Sequence, residues 1–242
     1  MGTFPSEFGK LSLLQDLWMG TNRLTGTIPV EIGGLSKITT LSIVENKLTG
    51  PIPTQMEMLR DLVNVDLSLN VLSGKIPAGI GNLSKLTLLH GYVNLLTGPI
   101  PTQLVLMAKF RHLSLDNNAL TGTVPTQFGT QSNLTTFHVH QNMMVGQIPS
   151  QLGRLSELVE IYLDNNMFSG KIPTEFGNLS KLTWLDFYAN NFEGDVNSIF
   201  CDPTDNFMSI LDVTFPNLEN LEADCADPVN PEVICSCCSR CL

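Results

Sequence analysis

Cysteine is missing from the first 200 residues of this 242-residue chain, so no disulfide is available to most of it. Basic side chains are scarce: 13 Lys and Arg against 23 Asp and Glu give a net charge of −10. A chain this acidic has little with which to neutralise phosphates, which argues against a nucleic-acid partner, and it is equally unsuited to an anionic membrane surface. No run of about 18 or more apolar residues occurs, so no segment is long enough to span a bilayer. The opening MGTFPSEFGK lacks the basic and apolar regions of a secretory leader. Aromatic residues make up only 7% of the chain. That small number becomes informative once their positions are known.

What the chain has in abundance is a period. Asn recurs at Asn22, Asn46, Asn70, Asn94, Asn118, Asn142, Asn166 and Asn190, always 24 residues apart. Gly follows four residues after each, from Gly26 to Gly194, and Pro keeps the same beat from Pro5 to Pro173. A fixed period of this length means a solenoid in which no unit buries its apolar face alone. Leu17, Leu41, Val65, Leu89, Leu113, Phe137, Ile161 and Leu185 form one inward column, with Met19, Ile43, Leu67, Leu115, Val139, Leu163 and Phe187 two residues on. Residues two apart share one face of a strand. A third column, Ile28 to Val196, fills the core from the return path. Gly91 stands where Leu or Ile belongs, which predicts a small cavity or a bulge.

The pattern LxxLxLxxNxL, seen at Leu14–Leu24, Leu62–Leu72 and Leu158–Phe168, resembles the leucine-rich repeat, and its LxGxIP extension resembles the plant-type extracellular subclass. The resemblance covers about the first four-fifths of the chain. It implies an α/β repeat solenoid, a leucine-rich-repeat horseshoe with a parallel concave sheet and short helical turns on the convex side. Residues 1–200 are read as the solenoid, opening in the middle of a repeat and carrying eight strands. Such an opening points to a truncated start.

Residues 201–242 are read as a C-terminal cap, with a ninth strand at Leu218, Leu221 and Ala223. All six cysteines lie here: Cys201, Cys225, Cys235, Cys237, Cys238 and Cys241. The CxCCxxC cluster fits either a soft metal held by thiolates or a disulfide staple. The tail resembles that of diatom-type algal leucine-rich repeat proteins, and extracellular repeat proteins commonly seal their last unit with disulfides, which favours the staple and no resident metal or cofactor. Six cysteines permit 15 pairings, and the sequence does not choose among them. Three glycosylation sequons begin at Asn82, Asn133 and Asn178, on the return side of the repeat.

Three columns alternate with the inward ones on the exposed face of the strands. They hold Asp16, Trp18, Asp66, His90, Tyr92, His112, Asp116, His138, His140, Glu160, Tyr162, Asp164, Trp184, Asp186 and Tyr188. Every His, Tyr and Trp of the chain lies in these columns, and no Lys or Arg does. Aromatics interleaved with hydrogen-bonding groups mark recognition surfaces. The row Asp116, His140, Asp164 falls on successive strands about 4.8 Å apart. It could orient a base, but no Ser or Cys nucleophile sits in an activated position and an open sheet excludes little water, so no enzyme is expected. Four histidines on an acidic face predict pH-dependent binding between about pH 5 and 7.

The reading is a non-catalytic extracellular recognition module, part of a receptor-like or secreted protein, with a protein, peptide or cell-wall glycan as partner. A structural or adhesive surface protein is the alternative. An ice-binding face would need an unbroken Thr or Asn array, and the partial row Thr25, Thr49, Thr97 and Thr121 is interrupted by Ser73, Val145, Ser169 and Glu193.

Overall fold

Each 24-residue period folds as a short parallel strand, a tight turn at the Asn, and a return arm. The computed structural model describes residues 2–196, 199, 220–223, 233–234 and 240–241. Contacts divide the chain into two units, Met1–Thr121 and Gly122–Leu242. In the first, β1 (Asp16–Trp18), β2 (Thr40–Ser42), β3 (Asn64–Asp66), β4 (Leu88–His90) and β5 (His112–Ser114) pair in parallel with a constant shift of 24, as in Asp66↔His90 and His90↔Ser114. In the second, β6 (Thr136–His138), β7 (Glu160–Tyr162) and β8 (Trp184–Asp186) do the same. The expected ninth strand is present as β9 (Asn220–Ala223), pairing Leu185 with Leu221. A tenth, β10 (Arg240–Cys241), pairs with β9 and was not foreseen.

Parallel strands need a return connection, and the return arms are five-residue 3-10 helices rather than α-helices: Ser6–Lys10, Val30–Gly34, Thr54–Met58, Ala78–Asn82 and Thr102–Leu106 in the first unit. Thr126–Thr130, Ser150–Arg154 and Thr174–Asn178 serve the second. Proline precedes each, with φ between −63° and −71°, already set for the turn that follows. The arms stack closely. A methyl group at Gly81 would lie in hard overlap with the Gln103 carbonyl, so only glycine fits.

A second parallel ladder, which the period alone did not reveal, forms between the Asn turn and the Pro. It joins Thr49–Pro51, Val71–Lys75, Leu95–Gly98 and Ala119–Leu120 in the first unit, and Val145–Gly146, Met167–Gly170 and Asn191–Phe192 in the second. Gly50, Gly74, Gly98 and Gly170, with φ from 73° to 78°, lie in this ladder at a left-handed position that glycine takes without a Cβ penalty.

The three apolar columns meet inside. Leu41, Val65, Leu113, Phe137, Ile161 and Leu185 are fully buried, and Ile28 through Val196 are at most 4% exposed. Met19, in the first strand, is only half-buried. The bulge expected at Gly91 is absent: its N–H donates to Ser114 O at 2.8 Å, so the ladder is unbroken. Leu115 and Leu96 close over the empty slot, 3.3 and 3.5 Å from where a Cβ would be.

The Asn column works as a second, polar spine. Asn70 Nδ2 donates to the carbonyls of Ile43, Leu67 and Ser68 at 3.0–3.2 Å, and its Oδ1 accepts from Leu48 N–H at 3.0 Å. One side chain thus satisfies four backbone groups of two repeats, as buried backbone polar groups require. The residue before each Asn takes a left-handed conformation, including Leu69 at φ 55° and the β-branched Val93 at φ 51°.

The cysteines fall outside the described residues, apart from the backbone of Cys241, and so does the expected boundary at residue 200. Among the described residues no helix is long and apolar enough to cross a membrane.

Candidate functional site

The strand positions carry their side chains alternately into the core and onto the open face of the sheet. In the second unit this alternation brings four rings together. His138 and Tyr162, paired across β6 and β7, have ring centroids 4.4 Å apart. His140 lies 5.5 Å from Tyr162 and 6.4 Å from His138, and Trp184 on β8 lies 6.0 Å from Tyr162. Edge and tilted contacts of this kind are favourable for aromatic rings. Glu160 borders the cluster, its Oε2 3.0 Å from His138 Nε2.

In the first unit His90 and Tyr92 sit 6.0 Å apart. Burial, the largest cause, holds His90 below the ordinary imidazole pKa, although Asp66 and Asp116 pull it upward. His112 is lowered as well, by burial first, then by His90 and Arg111. Burial raises the Tyr92 phenol, with Asp66 and Asp116 adding to the shift and Ser68 opposing it. The protonation expected to drive pH-dependent binding between about pH 5 and 7 is therefore displaced to more acidic pH for His90 and His112, because desolvation penalises the charged ring. The unfolded chain protonates these two rings more readily than the native one. Their contribution to stability is thus fully present above about pH 6.5 and is lost as the pH falls below it. Denaturation midpoints should drop from pH 7.5 to 5.5, and His90→Gln with His112→Gln should flatten that profile. An unchanged slope in the double variant would show that other groups carry it.

The exposed columns are less exposed than alternation implies. Asp116, Asp164 and Asp186 are only 8%, 3% and 8% exposed. Ser114 Oγ donates to Asp116 Oδ1 at 2.6 Å, and Asn165 Nδ2 donates to Asp164 Oδ2 at 2.8 Å. Asp116 and Asp164 thus support the turn after the strand, so the columns serve the fold as well as the open face. The Asp116, His140, Asp164 row divides between the two units, and among the described residues no group of three His, Cys, Asp or Glu is placed to hold a metal. Asp16 and Trp18 stand on β1, with Trp18 71% exposed and remote in sequence from the ring cluster. Asp66 lies on β3, accepting from Ser68 N–H at 3.0 Å, and Tyr188 is half-buried two residues beyond β8. Sequons at Asn82 and Asn178 are exposed at the ends of their 3-10 helices, and Asn133 is half-buried.

Sequence reasoning missed an apolar flank beside the Asn column, where Leu69, Val71, Val93 and Leu95 are 37–55% exposed. Only their places on either side of each Asn could have pointed to it.

The leucine-rich repeat family profile matches residues 109–130 and 157–179. A plant ice-binding protein of known structure is 30% identical, with 80% of this chain covering 70% of that one at a TM-score of 0.62. The chain belongs to the leucine-rich repeat family. It is also similar to the plant peptide hormone receptor RGFR1 in complex with RGF2, with 39% identity over 80% of this chain and a TM-score of 0.79. The Arabidopsis receptor kinase HAESA ectodomain, in complex with an extended IDA peptide hormone, matches at 32% identity over 84% with a TM-score of 0.80. This repeat chain spans only 31% and 34% of those two receptor chains. No match is found among curated proteins.

Proposed function

We propose that this leucine-rich repeat chain is a non-catalytic extracellular recognition module whose open sheet face binds a peptide or a segment of a protein. The ring cluster of His138, His140, Tyr162 and Trp184 carries the reading, since it offers rigid ring surface with polar edges of the kind that dominates binding energy. The peptide-bound receptors it is similar to support it. Acidic side chains border the rings and no Lys or Arg stands in the columns carried by β1 to β8, so the favoured partner is a cationic peptide with at least one large apolar side chain. The Cys-rich residues 201–242 are proposed as a disulfide-stapled cap, and Asn82, Asn133 and Asn178 as glycan acceptors.

A random peptide library displayed on phage tests the reading. Selected binders should be rich in Arg, Lys and aromatic residues, and Tyr162→Ala should weaken each at least tenfold, about 1.4 kcal/mol, with the melting temperature unchanged. Binders indifferent to both Tyr162→Ala and Glu160→Gln would overturn it.

A further inference from the structure

The second unit carries a groove on the return side, on the opposite wall of the repeat from the rings. It holds about 610 Å³, within the roughly 300–1,000 Å³ of small-molecule clefts. Its floor is built from Ile148, Pro149, Ile172 and Pro173, which repeat with the period of the fold. One wall comes from the second ladder and bears Gln147 and Lys171. The other comes from the 3-10 arms and bears Ser150 and Gln151.

Glycine shapes this groove. Gln147 lies across Gly170, its Cγ and Nε2 both 3.0 Å from where a Cβ would be, and Lys171 lies across Gly194 at 3.4 Å. At Gly129 it is the backbone and Cβ of Gln151 that come close, so glycine there lets the arms themselves pack. Gln147 and Lys171 are therefore laid along the groove by the missing Cβ of a neighbouring repeat. The polar ends of Gln147, Ser150, Gln151 and Lys171 make no hydrogen bond or ion pair with other described residues. Two lysines of the return side are used internally: Lys181 bonds Glu157 at 2.7 Å and Lys85 bonds Asp61 at 2.7 Å.

We infer that this groove binds a short neutral oligosaccharide. Each glutamine amide offers two donors and a two-lone-pair acceptor, and each hydroxyl offers both functions, which is the mixture that the equatorial hydroxyls of a sugar require. Half-exposed Pro173 and the Lys171 stem lying over Gly194 offer an apolar strip to the C–H face of a pyranose ring. Repetition of floor and walls every 24 residues, about 4.8 Å apart along the ladder, suits an extended chain of identical units rather than a compact ligand. Lys171 and Glu175 both line the groove, one of each sign, and the net charge of −10 opposes a polyanion, so the sugar is uncharged.

Calorimetric titration with a panel of hexasaccharides, β-1,4- and β-1,3-linked glucose, β-1,4-linked xylose and mannose, and α-1,4-linked galacturonate, tests this. At least one neutral member is expected to bind at millimolar concentration or below. Gln147→Ala with Gln151→Ala should weaken it at least tenfold with the melting temperature unchanged, while Tyr162→Ala on the opposite face leaves it intact. Absence of binding by every neutral member, tighter binding of galacturonate, or loss on Tyr162→Ala but not on the glutamine changes would each overturn the inference. The peptide experiment on the sheet face stands or falls separately, because it shares no residue with the groove.

Discussion

Replacing Asn166 by alanine is expected to lower stability by about 2–4 kcal/mol, measured by denaturant unfolding. Asn166 Nδ2 donates to the carbonyls of Val139, Leu163 and Asp164 at 3.0–3.2 Å, and its Oδ1 accepts from Met144 N–H at 3.0 Å. The residue is 9% exposed, so water does not replace these bonds freely. A buried backbone group left without a partner costs about 1–3 kcal/mol. The Met144 N–H is left so, while the Val139, Leu163 and Asp164 carbonyls each lose one of two bonds and keep those from Asn142 Nδ2, Asn190 Nδ2 and Gln141 N–H. Two of those carbonyls belong to residues flanking the ring cluster, so peptide binding should fall together with stability. Asn22 supplies the control. It is exposed and bonds only the carbonyls of Met19 and Gly20, so Asn22→Ala should cost no more than about 1 kcal/mol. Equal losses at the two positions would mean that the column does not act through buried backbone groups.

The second large effect lies in the apolar spine. Phe168 is fully buried, its ring stacked on Phe192 at 6.2 Å, and Phe192 in turn meets Phe187 edge-on at 6.0 Å. Phe168→Ala removes ring surface from the core and leaves a cavity that its β-ladder neighbours cannot collapse to fill, at a cost of about 3–5 kcal/mol. Its neighbour Met167, 49% exposed, should lose less than about 0.5 kcal/mol on the same change. Because stability in a repeat array is a sum of local and nearest-neighbour terms, the loss should appear first as hydrogen exchange in the repeats around Phe168. A uniform loss across the whole chain would contradict that locality.

The leucine, isoleucine and asparagine columns were legible because the period of two in a strand and the period of 24 in the chain assign each position a side. Val65, Ile161 and Ile172 are buried where the pattern placed them, and Leu221 lies on the strand it marked. Composition alone collected His138, His140, Tyr162 and Trp184 into one set of columns, and the register of β6, β7 and β8 put them in contact.

Depth and partnership were not legible. Asp164 and Tyr162 share a face by alternation, yet one is 3% exposed and hydrogen-bonded to Asn165 while the other is half-buried within a cluster of rings. Whether a side chain on the right face is covered depends on the sizes and reaches of its neighbours in adjacent repeats, and a periodic string does not encode those distances. The same reason hid the second ladder, where Ser169 pairs with Asn191 at a shift of 22 rather than 24. It also hid the groove beside that ladder, which exists because Gln147 and Lys171 lie over glycines of the next repeat. By itself the sequence determined the repeat, its core and the face on which the rings gather. Only the packing of one repeat on the next decided which polar groups are consumed inside the fold and which remain free to bind.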